Sequence, residues 1–215
     1  MSYRLLVFDW DGTIIDSASA IVDCIVEAAR DSGLEIPPRE RAAHTIGLGL
    51  HDALRFAVPD LPAERYPEFV ANYRKHFLAR QDTMQLFAGM RELLDGLSKT
   101  HRLAIATGKS RRGLDRALEA GGLKALFTAS RCADETNPKP HPAMLLELMD
   151  QLSHSRTETL MIGDTSHDLE MARAAGVDAL AVAYGAHPEQ GLRACGPLGC
   201  FSSVNQLREW LRANG

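Results

Sequence analysis

Short apolar runs alternate with amphipathic stripes over most of the chain. Arg4 to Trp10 is an apolar run closed by Asp11-Gly12, the pattern of a buried strand entering a turn. Arg102 to Thr107, Thr159 to Gly163 and Ala179 to Ala183 repeat it. Between these runs, residues share helical faces: Met90, Leu93, Leu94 and Leu97; Leu114, Ala117, Leu118 and Gly121; Met144, Leu145, Leu148 and Leu152. A fourth face, Leu169, Ala172 and Arg173, ends at Gly176, which is suited to cap a helix C-terminus. Alternating strand and helix predicts an α/β fold, a parallel sheet with helices on both faces.

Residues 16–85 break the alternation. They hold amphipathic helical patterns and no convincing strand: Ile21, Ile25, Ala28 and Ala29 define the first, and Phe69, Tyr73, Phe77 and Leu78 the last. Pro37-Pro38, Pro59 and Pro62 punctuate them. The expected organisation is a catalytic core of residues 1–15 and 86–215, with residues 16–85 inserted after the first strand as a helical cap.

Bulk properties narrow the partners. At 215 residues, 45% hydrophobic and 24% charged, the chain has the make-up of an ordinary globular protein. A net charge of -4 and the lack of basic tracts argue against nucleic acid or an anionic membrane as partner. An anionic ligand therefore needs a locally positive site. Cys24, Cys132, Cys195 and Cys200 are scattered, as expected of reduced thiols rather than a disulfide framework. Asp9 interrupts the N-terminal apolar run before a signal-peptide core can form, and no stretch approaches a membrane span, so a cytoplasmic protein is expected.

Four clusters carry candidate chemistry. Asp9-Trp10-Asp11-Gly12-Thr13 lies at the first strand's C-terminal end, where open α/β sheets bind ligands. Strand alternation sends Asp9 and Asp11 to one side, suiting them to nucleophile and general acid/base work beside Mg2+, a hard, oxygen-seeking ion. Taken alone, an Asp-x-Asp is more often a turn. Thr107-Gly108 ends a second strand and offers a hydroxyl and an amide to a phosphate oxygen, although Thr-Gly is also an ordinary loop start. Lys139 stands among Pro138, Pro140 and Pro142, a rigid setting for a surface lysine. Held about 4 Å from Asp9 at an effective dielectric near 20, its ammonium interacts by about 4 kcal/mol before desolvation. Last, Asp164 follows an apolar strand and Asp168 lies four residues on, so that one acid binds a metal and the other orients its waters, or Asp164 or Ser166 merely caps a helix.

In this order, Asp9-Trp10-Asp11-Gly12-Thr13, Thr107, Lys139-Pro140 and Gly163-Asp164-Thr165-Ser166-His167-Asp168 resemble the haloacid dehalogenase superfamily. The resemblance spans nearly the whole chain. It points to the phosphatase branch with a helical cap of the C1 type, in its phosphoglycolate phosphatase-like group, which is also similar to β-phosphoglucomutases and pyrophosphatases. It implies a Rossmann-like core and a mobile cap. It further implies that Asp9 attacks phosphorus to form an aspartyl-phosphate, and that Asp11 protonates the leaving group and then activates water. Thr107 and Lys139 would hold phosphoryl oxygens. Mg2+ would be bound by Asp9, the Asp11 carbonyl and Asp164, with Asp168 as a further metal or outer carboxylate.

Two departures from the family pattern stand out, the first affecting only packing and the second bearing on substrate. Trp10 replaces the more usual Phe, and Gly108-Lys109-Ser110-Arg111 replaces the usual Thr-Asn-Lys continuation. Thr13, Gly108, Lys109 and Arg111 are the further candidates for substrate contact, although loop cations such as Lys109 and Arg111 are commonly just solvated. In the cap, Gly47 and Gly49 are read as a joint between helices and His44 and His51 as surface residues; His141 and His167, within the core motifs, are read as surface residues too. The implied activity is hydrolysis of a small phosphate monoester by a monomer or homodimer. A phosphomutase of the same fold, or a binding protein on this scaffold, is the alternative. A signalling receiver domain is shorter and lacks the helical insert.

Overall fold

The computed structural model describes residues 3–214; positions 1, 2 and 215 of the expected core lie outside them. The strands are β1 (Leu5–Phe8), β2 (Ile15–Asp16), β3 (Gln85–Leu86), β4 (Arg102–Thr107), β5 (Ala129–Cys132), β6 (Thr159–Gly163), β7 (Asp178–Val182) and β8 (Gly199–Phe201). The helices are α1 (Ala18–Asp31), α2 (Arg39–His44), α3 (Leu50–Ala57), α4 (Tyr66–Arg80) and α5 (Met90–Leu97). They continue as α6 (Arg111–Ala120), α7 (Ala143–Leu152), α8 (Ser166–Ala175), α9 (Glu189–Ala194) and α10 (Val204–Asn214). None of the described helices is long and apolar enough to cross a membrane.

Six parallel strands form the main sheet in the order β5-β4-β1-β6-β7-β8. Every residue of the central β1 is buried, and its period-2 alternation supplies two cores. Leu6 and Phe8 face one core, filled by Leu94 of α5, Leu114 of α6 and Leu207 of α10. Leu5 and Val7 face the other, filled by Leu145 and Leu148 of α7 and Met171 of α8. Helices therefore cover both faces. The expected fold class is what forms, and β4 and β6 have the expected bounds. The fourth expected strand lies one residue earlier, at Asp178–Val182. Strands β5 and β8 went unread because both are short edge strands whose residues are mostly half-buried.

Helices α1 to α4 lie between β2 and β3, which pair antiparallel as Ile15 with Leu86 and Asp16 with Gln85. This small ribbon is where the chain leaves the sheet layer and returns to it. The helical block has its own core of Ile25, Ala28, Leu54 and Phe69. It docks on the sheet layer through backbone. Gly108, just past β4, sits so close beneath the Gly47 and Leu48 carbonyls that a Cβ there would collide with both. Gly47 itself has φ +92, a conformation natural to glycine.

The second docking point corrects an expectation. His167, expected at the surface, is buried at the start of α8. Its Nε2 donates to the His44 carbonyl at 2.8 Å, and His187 Nε2 approaches the same oxygen at 3.3 Å. His187 Nδ1 accepts the Ser166 N–H at 3.1 Å. The His44 ring is exposed, as expected, and stacks on His187 with centroids 4.7 Å apart. Burial first, then the neighbouring imidazoles, pushes His187 down to about 4, and burial lowers His167 as well. Both rings are therefore neutral donors near neutral pH. The four cysteines are free.

Two outcomes follow from this packing. Leu6→Ala empties a fully buried position between β4 and β6 and should cost about 2–5 kcal/mol in urea unfolding. Leu198→Ala, at a position 53% exposed, should stay within about 0.5 kcal/mol. Gly108→Ala drives a methyl into the Gly47–Leu48 carbonyls. It should speed amide hydrogen exchange across residues 46–50 while leaving β1 and β6 protected. Unchanged exchange there would show that this contact does not hold the helical block down.

Candidate active site

Loops at the C-terminal ends of β1, β4 and β6 converge with the 133–139 segment. Asp9 immediately follows β1 and is 1% exposed. Its backbone N–H continues the sheet by donating to the Ile162 carbonyl at 2.9 Å. Lys139, also buried, donates through Nζ to Asp9 Oδ1 at 2.5 Å. The same ammonium lies 2.7 Å from Asp168 Oδ1. Asp9 Oδ2 is buried without a protein partner.

Asp164 follows β6 and is held on both oxygens. Thr13 Oγ1 donates to Oδ1 at 2.8 Å and the Ala186 N–H to Oδ2 at 2.7 Å. Gly12, at φ +83, packs so tightly on this carboxylate that any Cβ would overlap it. Asp168 is the third residue of α8 and completes a capping box: its Oδ2 accepts from Thr165 N at 3.1 Å and Thr165 Oγ1 at 2.7 Å. The cap residue is thus Thr165, not Asp164 or Ser166, and Asp168 both caps the helix and faces Lys139.

Ligand oxygens of Asp9, Asp164 and Asp168 lie within 4.8 Å of one another. Fully ionised, three carboxylates against one ammonium leave two negative charges in excess, in a place nearly closed to water. The protein's own answer is protonation. Burial, opposed by Lys139 and reinforced by Asp168, raises Asp9 to about 7. Burial and then the Asp9 and Asp168 charges raise Asp164 well above the usual carboxylate range. Burial pulls Lys139 down, but the Asp168 and Asp9 carboxylates outweigh it, so its proton is held more tightly than usual. An orphaned carboxylate oxygen among three converging acids fits a hard divalent cation such as Mg2+.

A cavity of about 860 Å³ opens between the sheet loops and α1, α3 and α4. Asp9, Asp11, Thr107, Gly108 and Lys109 line it. Lys109 is not a solvated loop cation. Its Nζ lies 3.0 and 2.8 Å from the two Asp11 oxygens and 4.8 Å above the Phe77 ring of α4. Ser17 also donates to Asp11, at 2.8 Å. Thr107 is buried and accepts the Lys109 N–H at 3.2 Å.

Two expected substrate contacts are not brought to the cavity. Thr13 is buried behind it, on Asp164. Arg111 is committed to Glu135, at 2.9 and 2.7 Å, and to Asp115 at 3.2 Å, because acids one helical turn on and across the neighbouring loop satisfy its guanidinium. Sequence reasoning missed Ser17 and the Ala186 amide. A hydroxyl just before a helix signals a cap, and a backbone donor carries no residue-type signal at all.

The family model described as haloacid dehalogenase-like hydrolase matches residues 6–182. The "probable phosphatase IndB" of Dickeya dadantii is 38% identical over 90% of this chain and 86% of its own length. A "phosphoglycolate phosphatase" of Colwellia psychrerythraea is 27% identical, covering 95% of each chain. Among solved structures, a "putative haloacid dehalogenase-like hydrolase" from Bacteroides fragilis superposes with a TM-score of 0.86 at 27% identity, over 96% of this chain and 100% of its own. With strand order, strand-end acids and family model in agreement, the chain belongs to the haloacid dehalogenase-like hydrolase family.

Proposed function

We propose that the protein hydrolyses small phosphate monoesters through an aspartyl-phosphate on Asp9, with residues 16–85 acting as a cap over the site. The observation that carries this is the Asp9 carboxylate, aligned through Oδ1 by a buried lysine while Oδ2 has no protein partner. That arrangement suits a positioned nucleophile. An Asp9 oxygen bonds to phosphorus as the ester P–O bond breaks, and Asp11 gives its proton to the departing oxygen. Water then attacks the acyl-phosphate and yields its proton to Asp11, which releases phosphate and restores Asp9.

Thr107 and Lys139 are positioned to steady phosphoryl oxygens, and Lys139 also offsets charge on Asp9. Lys109 holds Asp11 and fixes its orientation; an entering phosphate competes for that ammonium. Asp9, Asp164 and the Asp11 carbonyl, with Asp168 beside them, would hold Mg2+, which supplies charge neutralisation for the transferred group. The relatives' names support phosphate esters as the substrate class, a phosphoglycolate-like or sugar phosphate being the expectation carried by the resemblance.

The decisive assay is inorganic phosphate release with Mg2+ from phosphoglycolate, sugar phosphates, nucleotides and pyrophosphate. Asp9→Asn should lower kcat by at least about a thousandfold, and chelator should abolish turnover. Isomerised sugar phosphate without phosphate release would instead identify a mutase.

Stability should also report the metal. A folded-state pKa near 7 for Asp9, against an ordinary value of 3.8, means that the metal-free native state binds the extra proton. This group's contribution is therefore present at low pH and lost as pH rises between those values. Added Mg2+ should raise the urea midpoint more at pH 8 than at pH 5, because protons compete for the same oxygens. An equal rise at both would argue that Asp9 does not bind the ion.

A further inference from the structure

The cavity that reaches Asp9 is larger and more basic than a two-carbon phosphate ester requires. Its volume of about 860 Å³ is near the top of the ~300–1,000 Å³ range of sites that bury drug-sized ligands. Ile21, Ile25, Tyr73 and Phe77 give it an apolar, partly aromatic wall. Arg74 of α4 and Arg112 and Arg116 of α6 also line it.

These three guanidiniums differ from their neighbours. Lys109 is paired with Asp11, and Arg111 with Glu135 and Asp115. Arg74, Arg112 and Arg116 take part in none of the ion pairs or side-chain hydrogen bonds among the described residues. The acids that share the cavity are engaged elsewhere: Asp134 accepts the Arg111 N–H at 2.8 Å, and Asp52 approaches the His51 ring at 3.3 Å.

The arrangement works against helix stability. Arg112 and Arg116 are like charges one turn apart, and α6 has no acid in its first turn, where the helix dipole favours anions over cations. In a chain of net charge -4, three exposed arginines on the lining of one cavity, without a side-chain partner among the described residues, form a local counter-charge for an anionic ligand.

We infer that Arg74, Arg112 and Arg116 bind a second anionic group on the leaving alcohol. The substrate is then a phosphate monoester with a ring-bearing alcohol whose far end carries a carboxylate or another phosphate. This rests on the phosphatase assignment of the same cavity: the ester phosphate lies at Asp9, the ring against Tyr73 and Phe77, and the distal anion at the arginines.

The test uses two matched pairs, phenyl with 4-carboxyphenyl phosphate and 2-naphthyl with 6-carboxy-2-naphthyl phosphate. Each is titrated calorimetrically into the Asp9→Asn protein, so that binding is read without turnover. In at least one pair the carboxylated ester should bind about tenfold or more tightly. That advantage should shrink with added salt. It should fall below about twofold when Arg112→Ala and Arg116→Ala are added, and largely return with Lys at both positions. Equal affinities within both pairs, or an advantage that survives the double substitution, would overturn the arginine site. Phosphate release by the unsubstituted protein is scored separately. Failure there with the affinity difference intact would sink the phosphatase assignment and leave the anion site standing.

Discussion

Lys139 is the charge around which the site is organised. Its ammonium, without solvent exposure, is wedged between Asp9 and Asp168, and Asp164 lies close by on the same strand ends. A buried ion of either sign left alone is heavily penalised, and one ammonium cannot neutralise three carboxylates. Much of the surrounding structure serves to make that imbalance tolerable. Thr13 and the Ala186 amide share the load on Asp164, and the start of α8 takes one oxygen of Asp168. What remains unmet is concentrated on Asp9, whose Oδ2 has no protein partner. The metal-free protein meets the deficit with protons, and a divalent cation would meet it with charge.

The same frame explains what could be read from sequence alone. Strands β1, β4, β6 and β7 are continuous apolar runs because they are interior to the sheet. Strands β5 and β8 pair on one side only, and Ser130 and Arg131 in β5 carry no apolar signal. Asp9, Lys139, Asp164 and Asp168 were legible because strand ends in a parallel sheet must converge, whatever the loops do. Thr13 and Arg111 are residue types that allow a substrate contact. Only the fold decides that Asp164 and Glu135 reach them first. The burial of His167 was hidden for a similar reason, since its cover comes from a helix more than a hundred residues earlier in the chain.

The strand-end charges and most of the cavity wall belong to different parts of the chain. Asp9 and Asp164 directly follow β1 and β6, Asp168 lies in the first turn of α8, and Lys139 ends the 133–139 segment beside them. The cavity above them is walled largely by α1, α3 and α4, whose core is separate from the two sheet cores. A helical block with its own core can be re-shaped without disturbing the charges beneath it. Lys109 belongs to both parts, with Asp11 on one side and the Phe77 ring on the other, so the position of α4 is felt directly by the Asp11 carboxylate.

The Ser166 amide has an effect beyond packing. Three imidazoles with ring nitrogens within 4.8 Å of one another are, by residue type, a chelator for zinc or nickel. By donating to His187 Nδ1, the amide fixes the proton on Nε2, where it is spent on the His44 carbonyl. His187 thus presents a hydrogen rather than a lone pair to the cluster. With that proton so placed, three histidines can stand together a short distance from the acid cluster and remain a poor trap for the softer metals that favour nitrogen.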